Sequence, residues 1–304
     1  TTMTAVRAAA LCKSDLATQL VVELTSLQGI MGRHYAELSG EPPDVALAIE
    51  EHYLPRFVGD RLPSGMPGLV VGLADRLDTL VALFAVGIRP SGAADPWGLR
   101  RAALSLLQTL VEKRIHLALP EALSLAAERL PVQVSEDALR DVTDFVTRRY
   151  QGYLRDQGFR YDLVDAVLAE LSYDPYGALL ALQALGPRVQ AEDWESLLDA
   201  YARCVRITRD QETRYAVERG LFVHPSETKL YEAYLAAYQR VTAQPDMPAL
   251  LAALKDLTPA ITQFFADVLV MDQDEAVRRN RLGLLQAISA LPDGLIDLSL
   301  VEGF

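Results

Sequence analysis

Cysteine is nearly absent from this chain. Among 304 residues only Cys12 and Cys204 occur, far apart and in no CxxC pair. Neither a disulfide framework nor a zinc knuckle can be built from them, and a reducing compartment is expected. Positive charge is also scarce: 29 Lys and Arg against 41 Asp and Glu leave a formal net charge of -12. That excludes a protein that coats nucleic acid by bulk attraction. Any RNA-binding face must be local, and its binding should weaken as salt rises. Long uncharged apolar runs are missing too. The most apolar stretch, 68–88, carries Asp75, Arg76 and Asp78 in its middle, so a buried helix is expected there and not a membrane span. Thr1-Thr2-Met3-Thr4 shows no basic region leading into an apolar core. No signal peptide and no membrane partner are therefore expected, and the cytoplasm is the expected compartment. Strand alternation with hairpin turns and repeats of fixed period are likewise absent.

What the chain does have is helical periodicity. Half of its residues are apolar, enough for one large core or two ordinary ones. Leu16, Leu20, Leu24 and Leu27 make one stripe over 14–28, with Ser14 or Asp15 as its N-cap. Asp44 after Pro42-Pro43 opens a second helix to about His52. A third runs from about Gly68 to Val86. A fourth begins at Asp95-Pro96 and runs through Ile115, with Asp as cap, Pro at the first helical position and Lys113-Arg114 at the dipole-favoured end. The stretches 59–67 and 87–95 read as loops, and Pro120 and Pro131 interrupt the pattern over 119–134. Helices are expected again at 136–156, 161–171, 175–185, 192–208, 225–242, 247–271 and 275–291. The expected architecture is all-α with two helical domains, 1–127 and 128–304.

Several strings exceed generic helix. They are Cys12-Lys13-Ser14-Asp15-Leu16, Leu27-Gln28-Gly29-Ile30-Met31-Gly32-Arg33-His34-Tyr35-Ala36 and Glu51-His52-Tyr53-Leu54-Pro55-Arg56-Phe57. Further along come Gly59-Asp60-Arg61-Leu62-Pro63, Leu73-Ala74-Asp75-Arg76-Leu77-Asp78-Thr79-Leu80 and Asp95-Pro96-Trp97-Gly98-Leu99-Arg100-Arg101-Ala102-Ala103. In the second half stand Phe264-Phe265-Ala266-Asp267-Val268-Leu269-Val270-Met271 and Arg279-Asn280-Arg281-Leu282. In this order they closely resemble the β subunit of bacterial α2β2 glycyl-tRNA synthetases, from about Ala9 to Leu300. The resemblance implies an HD-like helical domain followed by linker helices and an anticodon-binding helical bundle of the kind also seen in arginyl-tRNA synthetase. It implies a part of a glycine–tRNA ligase, a class II aminoacyl-tRNA synthetase, that positions tRNA(Gly) without chemistry of its own. The α subunit, or a fused α region, carries the catalytic core that uses ATP and Mg. No cofactor in this chain and no DNA partner are expected. The earlier β-subunit domains are expected to be missing from it.

HD phosphohydrolases hold a divalent metal with a His, an adjacent His-Asp pair and a later Asp, so that imidazoles and carboxylates from different helices converge on one ion. Here His34 stands at the first position, His52 at the second and Asp75 at the last, with Asp78 one turn on. Tyr53 replaces the bridging aspartate, so the set is degenerate and no metal is expected. A metal-dependent hydrolase is the alternative reading. The plain one has His34 and His52 in hydrogen bonds or stacking, and the aspartates paired with Arg33, Arg56 or Arg76. Arg100 and Arg101 after Asp95-Pro96 are candidates for RNA contact or a solvated face.

In the second half arginine is locally dense. Arg203, Arg206 and Arg209 recur every three residues, which places them on one ridge. Arg214 and Arg219 follow, and Arg278, Arg279 and Arg281 cluster near the start of the last long helix. Arginine forks on phosphates, with Tyr215, Phe222 or His224 stacking on bases, would make an RNA site. Pairing of Arg278 and Arg279 with Asp272, Asp274 or Glu275, and of Arg209 with Asp210 or Glu212, is the competing arrangement. Tyr231, Tyr234 and Tyr238 fit a packing seam, and a purely helical scaffold would use such seams as interfaces.

Overall fold

The computed structural model describes residues 1–90 and 95–304, and all regular structure among them is helical. The expected loop over 87–95 thus falls partly outside the described residues. The chain forms two compact units, Thr1–Tyr153 with Tyr173–Tyr176, and Leu154–Ser172 with Gly177–Phe304. The composition break at 119–134 lies inside the first unit.

The first unit contains α1 (Thr2–Leu11), α2 (Gln19–Glu23), α3 (Ile30–Leu38), α4 (Pro43–Glu51), α5 (Met66–Ala85), α6 (Leu99–Glu112) and α7 (Leu119–Arg129). It also contains most of α8 (Glu136–Asp156). The apolar helix α5 is the centre, packed against α1, α4, α6 and α7. Its Leu80 and Val81 are fully buried. Glu51, buried at the end of α4, anchors the turn that leads into it. The Glu51 carboxylate accepts from Ser64 N at 2.7 Å, Ser64 Oγ at 2.6 Å and Gly65 N at 3.0 Å, satisfying donors beside the positive end of α5.

The leucine stripe over 14–28 does not make one helix. It breaks into a 3-10 turn Ser14–Ala17, the short α2 and a second turn Thr25–Leu27, and Leu16, Leu20 and Leu24 stay exposed. The cause is Asp15, which is no exposed cap. Its buried carboxylate accepts from Gly29 N at 2.7 Å and Gly32 N at 3.1 Å, folding the segment back onto the start of α3. Gly29 has φ +78°, and a Cβ there would lie 2.5 Å from the Tyr53 ring, so only glycine fits. The Pro-interrupted stretch from 119 is helix, because Pro120 sits in the first turn of α7 where it has no N–H to lose. The helix expected from Asp95 begins at Leu99, with the Asp95 carboxylate accepting from Arg100 N at 2.9 Å.

The second unit holds α9 (Tyr161–Leu171), α10 (Pro175–Arg188), α11 (Trp194–Thr208), α12 (Pro225–Ala243), α13 (Met247–Asp267) and α14 (Glu275–Ser289), α10 from Gly177 onward. α13 packs on α11 and α12, and α14 packs on α11. Side-chain caps start three of them. His224 and Glu227 form a reciprocal capping box on α12, Asp246 accepts from Ala249 N on α13, and Asp274 accepts from Ala276 N on α14. Both cysteines are free and buried. Burial pushes the Cys204 thiol up to about 12, which leaves it inert.

Candidate nucleic-acid interface

The degenerate candidates His34, His52 and Asp75 are not brought together as a metal-binding group among the described residues. His34 lies on the exposed side of α3, its Nδ1 3.7 Å from Glu37. His52 is fully buried, with Nδ1 2.6 Å from the Ile49 carbonyl oxygen. Asp75 makes its ion pair with Lys13, a partner sequence reading did not name. Arg33 takes Glu37 and Glu50, and Arg56 takes Asp60. Among the described residues no group of three or more His, Cys, Asp or Glu is placed to hold a metal ion. The donor set therefore does not fit the metal of an HD hydrolase. Arg76 spends its guanidinium on backbone carbonyls of the 52–55 turn.

In the second unit the basic residues separate into roles. Two of the three ridge arginines, both on α11, lie over rings: Arg203 over Phe265 at 4.3 Å and Arg206 over Phe304 at 5.7 Å. Arg206 and Arg209 are exposed. Neither Arg203 nor Arg206 has an ion-pair partner among the described residues; each guanidinium instead lies over its ring, with its N–H edge free of a carboxylate. Arg209 likewise has no ion-pair partner there, and its expected pairing with Asp210 or Glu212 is not made. Arg278 donates to the Asp272 carbonyl at 2.9 Å, and Arg279 pairs with Glu275 while sitting 6.0 Å over Tyr215. Arg281 departs from the reading as an RNA contact. It is 5% exposed and its guanidinium goes to Glu227 at 2.5 Å, Asp272 at 2.6 Å and the Leu269 carbonyl at 2.9 Å. In the first unit Arg101 is exposed and Arg100 half-buried.

The segment 209–224 between α11 and α12 gathers these groups. It is pinned to one face of α14 by residues that sequence reasoning passed over. Gln286 accepts from Tyr215 N at 3.0 Å and donates to Thr213 O at 2.8 Å. Asn280 accepts from Glu218 N at 2.7 Å and returns a bond to Glu218 O at 3.1 Å. Between them Gly283 lets the backbone approach, since a Cβ there would stand 2.7 Å from Tyr215 O. The only sequence signal was spacing: 280, 283 and 286 recur every three residues.

Beside the pinned segment lies a cavity of about 420 Å3 lined by Arg214, Tyr215, Tyr234, Tyr238, Gln286 and Asp293, among others. Phe222, Tyr231, Tyr234 and Tyr238 form a row with centroid spacings of 5.5, 6.4 and 5.9 Å, and Arg219 lies 5.1 Å over Tyr231. None of these tyrosines belongs to the buried core, and Tyr238 is 50% exposed. The row is thus a seam of half-buried rings packed on one another, open at Tyr238, where an exposed ring could stack an unpaired base.

Comparison with known proteins bears on this cluster. Residues 1–169 match the model of the glycyl-tRNA synthetase beta subunit. The chain belongs to that family. Residues 197–296, which include the pinned segment and its cavity, match the DALR anticodon binding domain. Among relatives of the β-subunit family, the chain is 40% identical over 299 residues to glycine–tRNA ligase, chloroplastic/mitochondrial 2, of Arabidopsis thaliana, covering 98% of this chain and 28% of that protein. It is 38% identical to the glycine–tRNA ligase beta subunit of Halalkalibacterium halodurans, over 94% of this chain and 42% of that one. It is 37% identical to that of Syntrophomonas wolfei, over 96% and 44%. The chain thus spans less than half the length of these relatives. Among the described residues no helix is long and apolar enough to cross a membrane.

Proposed function

We propose that this chain is the tRNA-binding portion of a glycine–tRNA ligase, positioning tRNA(Gly) for glycylation by a catalytic α chain or a fused α region. One observation carries the reading: the arginine and tyrosine cluster around 209–224 lies within the stretch that matches an anticodon-binding domain. In this reading residues 1–127 are the HD-like part, and 128–304 are linker helices and the anticodon-binding bundle. Arg203, Arg206, Arg209, Arg214 and Arg279 offer forks to phosphates, and Tyr234 and Tyr238 offer faces to unstacked anticodon bases. Arg278 lies at the edge of this set. Arg281 holds Glu227 and acts by position only. On the first unit Arg101, with Arg100 beside it, is the candidate contact for the acceptor side of the tRNA. ATP and Mg serve the catalytic α part, this chain uses no cofactor, and the protein works in the cytoplasm, away from membrane and DNA.

The test is direct. A tRNA(Gly) transcript is titrated against the chain and against an Arg214→Ala/Arg279→Ala variant. Loss of two charge-assisted contacts should weaken binding at least about tenfold. Equal affinity would overturn the assignment of the cluster. Charging assays that combine the catalytic chain with and without this one should show glycylation that depends on both and none from this chain alone.

A further inference from the structure

The cavity beside the pinned segment has two opposite charges on its wall that the fold leaves unengaged. Arg214 lies on the 209–224 segment and Asp293 just past the end of α14. Both are exposed. Among the described residues neither side chain makes a hydrogen bond or an ion pair. The acids around Asp293 behave differently. Glu170 accepts from Gly294 N at 2.9 Å, and Asp297 accepts from Ser299 N at 3.0 Å and Ser299 Oγ at 2.6 Å. Partial burial and then Glu170 raise the Asp293 pKa, while Arg214 lowers it, so the two free charges act on each other across the opening without closing on it. Gln286, also on the wall, already has both ends of its amide on the segment's backbone.

A simple anion here would meet Asp293, and a simple cation would meet Arg214. The group that suits both is neutral, with N–H donors on one side and acceptors on the other. It is also flat, to lie on the open ring of Tyr238. The hydrogen-bonding edge of an unpaired nucleobase is such a group. A carboxylate only accepts and a guanidinium only donates, so the order of donors and acceptors along that edge decides the fit. Cytosine has an amine beside two acceptors, and guanine has two N–H groups beside one acceptor. Each can turn every donor to Asp293 and every acceptor to Arg214. Uracil has one N–H between two carbonyls, which brings a carbonyl towards the carboxylate. Adenine offers a single donor and a single acceptor and makes one contact fewer.

We propose that Asp293 is a specificity-determining residue of this cavity: with Arg214 opposite it and Tyr238 stacking, it admits an unpaired cytosine or guanine and turns away uracil and adenine. The proposal rests on the tRNA reading and narrows it at one residue, since Arg214 then meets a base edge and the phosphates fall to its neighbours.

The experiment uses tRNA(Gly) transcripts in which each unpaired cytosine of the anticodon loop is changed to uracil, and each unpaired guanine to adenine, one at a time. Their binding to the parent chain and to Asp293→Asn is compared. At one position the change should weaken binding to the parent at least about tenfold, because it sets an acceptor against the carboxylate. Whether that position held cytosine or guanine identifies the base. The amide of Asp293→Asn donates as well as accepts, so there the same penalty should shrink below about threefold, with an unchanged helical circular dichroism signal. A merely structural role for Asp293 would lower all affinities together and leave the penalty in place. A parent that binds tRNA(Gly) yet tolerates every replacement overturns the proposal and leaves the tRNA reading standing. A penalty of equal size in both proteins does the same. No binding of the unchanged transcript to the parent overturns both.

Discussion

Arg76 shows how one side chain can hold a turn together. Nη1 donates to His52 O at 2.9 Å and Gly72 O at 2.7 Å, and Nη2 to Tyr53 O, Leu54 O and Pro55 O at 3.1, 2.9 and 3.3 Å. Burial lowers its pKa to about 10, with Asp75 pulling the other way, so the guanidinium stays charged at neutral pH. Arg76→Met would leave several buried carbonyls without donors. Urea unfolding should show a loss on the order of 3 kcal/mol or more. A loss below about 1 kcal/mol would mean that water replaces the guanidinium. His52 provides a pH test. Its folded pKa lies below the ordinary 6.5, chiefly through burial. The unfolded chain therefore takes up this proton first as pH falls. The contribution is intact above about 6.5 and is lost as pH drops towards the folded value, by at most about 1.4 kcal/mol per pH unit. Unfolding free energies measured from pH 7.5 to 5.5 should fall less steeply in His52→Gln than in the parent. Parallel slopes would show that the imidazole takes up its proton without cost. None of this was legible from a His-Tyr pair in a string, because burial is a property of the folded neighbourhood.

The segment 209–224 depends on α14 for its shape. Gly283→Ala would drive a methyl to 2.7 Å from Tyr215 O, and Asn280→Ala would free both ends of Glu218. Either change should shift Arg214 and Tyr215 and weaken tRNA(Gly) binding by about tenfold. The helical circular dichroism signal should hold, because α14 keeps its Asp274 cap and its buried apolar residues Val277, Leu282, Leu284, Leu285 and Ile288. Filter binding with Glu232→Ala, an exposed change on α12, supplies the control, and equal affinity in all four proteins would show that the loop's pose is irrelevant. The helices themselves were largely legible. The apolar period and the Asp and Pro punctuation located α4, α5, α8, α9 and α11–α14 to within a few residues, α13 running shorter than expected. Failure came where a local rule met a distant partner. Asp15 looked like a cap until Gly29 and Gly32 appeared across from it, and Pro120 looked like a breaker although a helix's first turn tolerates it.

Net charge of -12 opposes RNA at long range, so a local basic cluster must carry the attraction. If about four phosphates are engaged, the logarithm of the tRNA binding constant should fall with the logarithm of salt with a slope of roughly -3. Titrations between about 50 and 300 mM salt would give that slope, and a flat response would rule out phosphate contact as the source of affinity. Arg281 should be the exception among the candidate arginines. Its replacement by methionine should lower stability, since Glu227 would be left buried without its partner, and should leave the salt slope unchanged.

The all-helical class, the limits of the long helices and family membership were already legible in the chain's own period, punctuation and ordered strings, because those depend on neighbours within one or two turns. The folded structure alone decided which charges are free. Arg281, Arg279 and Arg203 look alike in the sequence, yet one is buried between two carboxylates, one is paired on the surface beside Tyr215, and one rests its fork on Phe265. The same holds for His52. Packing in the folded first unit buries its ring and leaves Nε2 without a hydrogen-bond donor.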